Sequence, residues 1–244
     1  MDDHELMFEL SHPGRLEALR LLSQNPHRLT DISKALDLTS AEISRHLGRL
    51  TKAQLIIKDG DGRYSLTPFG GIILQELSNV RFITKHSQYF STHDFSVIPE
   101  ELCLLSAISN CELVEGTLEI MSMVEDLTKN AKKRIHLISD QPMRSMVSTN
   151  VQKARKGVPF KIIYQKDMDV PEEYRPKKGK PIEVRLIDDV LFSMKSNEKV
   201  GGLVLPDLDG KIDYEFALIR DDPQFVRWLE FLFDYFWQKA ESAF

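Results

Sequence analysis

The chain has 244 residues, 42% of them hydrophobic and 28% charged, with a formal net charge of −5 at pH 7. That length accommodates two domains, and the balance is that of a packed globular protein rather than a disordered one. No apolar run approaches the ~20 residues of a membrane span. The acidic start MDDHELMFEL lacks a basic-then-apolar leader, and Cys103 and Cys111 are too few for a disulfide scaffold, so a cytoplasmic protein with reduced thiols is expected.

Residues 1–10 read as a lead into a first helix over 11–22, with Leu6, Phe8 and Leu10 available for packing. Pro13 suits the first turn of that helix, and Leu16, Leu19 and Leu22 form its core stripe until Asn25-Pro26 ends it. Thr30 is the expected cap of a short helix over 31–36 whose buried stripe is Ile32, Ala35 and Leu36. Asp37-Leu38 makes a turn. Thr39 or Ser40 caps the next helix, with Glu42 at capping-box spacing from Thr39.

In that helix Ile43, Leu47 and Leu50 recur at i, i+4, i+7 and define the inner face. Ala41, Arg45, Gly48 and Arg49 point the other way, with Ser44 on the flank. This outer face is small or cationic, as a helix entering the major groove requires, and arginine can bond guanine O6 and N7 bidentately. Ser40 suits a phosphate, and Arg45 is the leading base-reading residue. Strands over 55–58 and 63–66 flank Asp59-Gly60-Asp61-Gly62, whose glycines allow a tight hairpin. Lys58 and Arg63 stand beside the tip of this wing, within reach of phosphate. Residues 43–66 carry five cations and two anions, so the basic charge is local while the chain as a whole is acidic. The pattern is a winged helix-turn-helix that reads a double-stranded DNA operator, with a homodimer expected for specificity.

Thr67-Pro68 opens a helix over 69–86, a connecting rod and candidate dimer interface. The domain boundary is expected near Thr92, which gives a winged head over 1–68, a connector over 69–92 and an effector domain over 93–244. In the effector domain a short apolar helix follows Pro99. A helix over 115–130 carries Leu118, Met121, Val124 and Leu127. Strands are expected over 134–139, 160–165, 182–187, 191–194, 202–205 and 214–219, with a helix over 142–156. Pro223 opens a last helix holding seven aromatics in thirteen residues, Phe225 to Trp237. The fold class is therefore α+β in two domains, the second an α/β domain with a mixed sheet.

Together with SHPGRLEALRLL, the first 70 or so residues resemble ArsR-like winged-helix repressors, without the cysteines of the metal-sensing members. The ending IRDDPQFVRWLEFLFDYFWQKA looks like the closing helix of phospholipase-D-like domains, whose nucleophile lies in an H-x-K pair. None of the seven histidines has lysine two places later. KHSQYFSTHDFSVIPEELC, KKRIHLISDQPMRSM, GVPFKIIYQKD and VRLIDDVLFSMKSNEKVGGLVLPDLDGKIDY resemble the effector region of the archaeal FilR-type, or methanogenesis regulatory, family. That resemblance implies an archaeal transcription regulator beside a histidine-kinase system.

Loops after the strands converge on a cleft in such sheets, so Ser139, Asp140, Arg144 and Lys166 are the candidate small-molecule site. The cationic run Arg175 to Lys180 is a second place for an anion. No catalytic residue, metal or cofactor is assigned, because no Walker loop, G-x-G-x-x-G, zinc spacing or H-E-x-x-H occurs. The reading is a non-enzymatic, DNA-binding regulator whose second domain senses a small molecule or a kinase partner. The alternatives are a nucleic-acid-docked enzyme of the phospholipase-D-like fold and a protein-interaction scaffold.

Overall fold

The computed structural model describes residues 2–175 and 181–244. The chain divides into two compact units, Met1–Arg81 and Phe82–Phe244. In the first, α1 (Asp3–Leu10) is a helix of its own, because Asp2 and Glu5 close a capping box over its N-terminus. α2 (Pro13–Leu22) follows, capped by His12. Its buried face is Arg15, Ala18, Leu19 and Leu22, with Leu16 only half-buried. Arg15 is tolerated inside because its guanidinium donates to the Phe8 and Glu9 carbonyls, each at 2.6 Å, which the end of α1 leaves open.

After β1 (His27–Arg28) comes α3 (Leu29–Leu36). It starts ahead of the expected Thr30 cap, since the Asp31 carboxylate accepts the Arg28 N–H at 3.3 Å and places Thr30 within the helix. Ile32 is fully buried, whereas Ala35 is exposed. Asp37, left-handed at φ 52°, stops the helix. α4 (Ser40–Lys52) is capped by Thr39 in a capping box with Glu42. β2 (Ile56–Lys58) and β3 (Arg63–Leu66) form the hairpin. The wing is a three-stranded sheet in the order β1-β3-β2 rather than two-stranded. Two-residue β1 is too short to show any alternation in the sequence.

α5 (Pro68–Lys85) is set by Thr67, whose hydroxyl accepts the Gly70 N–H at 2.9 Å and donates to the Gln54 carbonyl at 2.6 Å. The division into units falls inside this helix rather than near Thr92. Ile73, Leu74 and Leu77 pack on the first unit's core, while Phe82 is buried in the second's. α6 (Ser87–Thr92) follows a break at His86, and its Tyr89 is buried in the second unit's core.

The expected helix after Pro99 is a 3₁₀ turn at Glu100–Leu102 and a single-turn α7 (Leu105–Ile108). Next come β4 (Glu112–Glu115), α8 (Thr117–Asn130), β5 (Ile135–Ser139), α9 (Arg144–Arg155), β6 (Phe160–Gln165) and β7 (Ile182–Ile187). The chain ends with β8 (Ser193–Ser196), β9 (Gly201–Val204), β10 (Phe216–Arg220), α10 (Pro223–Lys239) and β11 (Glu241–Ser242). Among the described residues the mixed sheet runs β11-β7-β6-β5-β8-β9-β10-β4, with β5, β6 and β7 parallel and the other neighbours antiparallel.

The sheet is covered on both faces. His136 of β5 stacks on Phe233 of α10 at 4.2 Å, and a Cβ on Gly201 of β9 would stand 2.3 Å from Leu229 Cδ1, so α10 lies close against one face. Phe225, Trp228, Phe233 and Trp237 are buried there, while Phe231 is 55% exposed. The opposite face holds the cross-strand row Leu137, Lys195 and Gly202. In α8 the expected Leu118 stripe is wrong, because Leu118 is 84% exposed and the buried face is Ile120, Leu127 and Thr128. Steps of three residues lag the helix by about 60° each, so Leu118 and Leu127 lie on opposite sides.

Candidate nucleic-acid interface and ligand cavity

α4 has the two faces that its sequence predicts. Ile43, Leu47 and Leu50 are fully buried, and Ser40, Ala41, Ser44, Arg45, Gly48 and Arg49 are all exposed. The Arg45 side chain makes no hydrogen bond or ion pair with any described residue. Arg49 differs. Its guanidinium is held by the Glu9 carboxylate, with Nε 2.9 Å from Oε2, and it lies 4.9 Å above the Phe8 ring. The same carboxylate is 3.2 Å from Arg15 Nε. The hydrogen bond from Arg49, ahead of the opposing effect of burial, holds the Glu9 carboxyl below its ordinary range. Arg49 therefore braces α4 against α1, an arrangement the helical wheel could not foresee because Glu9 is forty residues away.

The wing tip is built by Asp59. Its carboxylate accepts the backbone N–H of Asp61 at 3.0 Å and of Arg63 at 2.8 Å, and Gly62 takes φ 79°. Lys58 and Arg63 are exposed beside the tip, with the Lys58 ammonium 5.4 Å from the Tyr64 ring centroid.

The second unit holds a cavity of about 500 Å³, open to solvent on one side, between α8, α9 and the sheet face that carries Lys195. Ser139 lines it. The Asp140 carboxylate accepts a hydrogen bond from the hydroxyl of Tyr214, which is 3.2 Å from Ser139 Oγ. The other two expected site residues lie elsewhere. Arg144 pairs with Asp169 at 2.7 Å and Lys166 with Asp188 at 2.7 Å, and neither lines the cavity. Of the cationic run, Arg175 pairs with Glu172 at 2.6 Å, and residues 176–180 lie outside the described residues.

The residue that sequence reasoning missed is Lys195. It is 7% exposed, lines the cavity and has no hydrogen-bond or ion-pair partner among the described residues. Burial lowers its pKa to about 7. The signal was a lysine in FSMKSN, next to an apolar run. The expected strand stopped at residue 194, one short of it. Asn150 on α9 was missed too. Its amide donates to Tyr174 Oη at 2.7 Å, while its Oδ1, shut off from solvent, has no partner among the described residues. Among the described residues no histidine lines the cavity.

Residues 3–86, about a third of the chain, match the family described as HVO_A0261 N-terminal domain. No curated protein matches the chain. Among solved structures, the archaeal chromatin protein TrmBL2, described as showing a novel mode of DNA binding, is 15% identical over 99% of this chain and 100% of its own, with a TM-score of 0.46. NucT from Helicobacter pylori is 12% identical over 54% of this chain and 97% of its own, with a TM-score of 0.41. Nuc from Salmonella typhimurium, a phospholipase D family member, is 10% identical over the same shares, 54% and 97%, with a TM-score of 0.40. None of these scores reaches 0.5, so neither DNA binding nor phosphodiester chemistry passes from them to this chain.

Proposed function

We propose that this chain is a DNA-binding transcription regulator, with the winged unit reading an operator and the second unit sensing a small molecule. The observation that carries the reading is the outer face of α4. It is small, cationic and exposed on a helix whose inner face is fully buried and whose N-terminus is capped. Ser40, Ala41, Ser44 and Arg45 would meet the major groove, and Lys58 and Arg63 would meet phosphate beside it. Arg49, held by Glu9, would orient the helix rather than read bases. The regulator works as a homodimer, since one short reading helix gives little specificity. The exposed Phe69 and Ile72, 39% and 60% accessible on one side of α5, are the proposed contact.

The test is binding of the purified chain to the DNA upstream of its own gene, beside a random duplex of equal length, at several salt concentrations. The reading expects preference for the upstream duplex and a steep negative salt slope. Equal, weak binding to both duplexes would sink it.

A further inference from the structure

The second unit holds a cleft of about 500 Å³, open to solvent on one side and within the size range of pockets that take drug-sized ligands. Its wall is mostly apolar. Met121, Met143 and Met146 contribute flexible thioethers, which adapt to irregular guests. Into this wall β8 brings the unpartnered ammonium of Lys195. An unpaired buried charge is costly, and a methionine of similar length would remove the cost. The pairing register sets Gly202 beside Lys195, where a Cβ would meet only Ile219 Cγ1, at 3.6 Å. The cavity wall on the strand next to Lys195 is thus left open by the absence of a side chain.

We propose that this cavity is the effector site and takes a monocarboxylate with an apolar body, its head against Lys195 and its tail among the methionines. The word effector rests on the regulator reading; the binding itself does not. A single anion is specified because Lys195 is the one cation among the described lining residues, and the other charged lining residue, Asp126, is exposed. A phosphate dianion would keep an uncompensated negative charge in this surrounding, whereas a carboxylate is neutralised.

The experiment is calorimetric and thermal-shift titration of the full chain with linear carboxylates from octanoate to dodecanoate and with phenylpropionate and indole-3-acetate. 1-Decanol and inorganic phosphate serve as controls. At least one carboxylate is expected to bind and raise Tm. Decanol should bind roughly ten- to a hundredfold more weakly, the loss of one charge-assisted hydrogen bond, and phosphate, with a second charge and no apolar body, should also bind more weakly than the carboxylates. Lys195→Met should lose the same factor while folding normally, since it removes an unpaired charge. Gly202→Val, which keeps Lys195 and fills the space beside it, should also lose binding. Failure of every carboxylate, equal binding of decanol or phosphate, or unchanged binding in Lys195→Met would overturn the proposal. Because no DNA is involved, carboxylate binding by a chain that fails to prefer its upstream duplex would leave this inference standing and remove the regulator reading.

Discussion

Arg45 and Arg49 are four residues apart and one helical turn from each other, yet their surroundings give them different work. Among the described residues Arg45 has no hydrogen-bond or ion-pair partner to lose. Arg49 is held by a carboxylate that also touches Arg15. Arg45→Ala should therefore weaken operator binding by roughly 1–3 kcal/mol and relax specificity at one base pair, with Tm unchanged. Arg49→Ala should lower Tm by leaving Glu9 half-buried with one partner fewer, and its effect on DNA should be shared across all sequences. Competition binding with single-base operator variants, beside thermal melts, separates the two. If Arg45→Ala discriminates among operator variants as the parent does, Arg45 is not a base reader.

At the scale of the element, α5 shows what one atom of space decides. A Cβ on Gly70 would stand 2.0 Å from the Leu55 carbonyl oxygen, a backbone atom that cannot swing aside, whereas a Cβ on Gly71 meets nothing within 4 Å. Gly70→Ala must push the helix off the turn before β2 and should cost about 1–3 kcal/mol or more, as overpacking does. Gly71→Ala should stabilise by up to about 1 kcal/mol, because an open helical site prefers alanine. Denaturant unfolding of the two variants is expected to give opposite signs; equal signs would contradict the packing at Thr67 and Leu55. Caps and turns of this kind were legible in the sequence because they are local: Thr39 with Glu42, Asp59 before two glycines and Pro223 at a helix start each act within a few residues. Interactions that bridge long stretches were not legible. Glu9 with Arg49, His136 on Phe233 and the row Leu137, Lys195 and Gly202 depend on tertiary register, which no window of sequence contains. Ser139, Asp140, Arg144 and Lys166 were singled out through the rule that strand ends gather ligands, and of the four only Ser139 lines the cavity. That rule points to the rim and so passed over the buried lysine in the middle of β8.

For the molecule as a whole, acid stability should be set in part by His136. Burial first, then the charges of Arg134 and Lys161, lower its pKa to about 3 from an ordinary 6.5. The unfolded chain therefore takes up the proton first as pH falls. Stability that is complete above about pH 6.5 is lost progressively toward pH 3, by about 3 kcal/mol between pH 7 and pH 4. His136→Phe, which can keep the stack on Phe233, should flatten that slope by the same amount in urea titrations at the two pH values. An unchanged slope would show that His136 does not carry the acid sensitivity between pH 7 and pH 4; Glu9 and Glu198, whose pKa values are lowered, act at more acidic pH.

β4 is an edge strand whose only neighbour in the described sheet is β10, and Leu113 faces Leu218 across it. On the ribosome that partner emerges about a hundred residues later, a wait of roughly 5–20 s at ordinary rates of synthesis. Meanwhile an apolar Leu113-Val114 pair stands with its backbone unpaired, open to any other nascent strand. Glu112 and Glu115 close that pair at both ends, and like charges set in register repel a second copy. The same two acids that look idle on the finished surface would then do their work before the sheet exists, keeping the newborn chain from aggregating with its neighbours on the polysome.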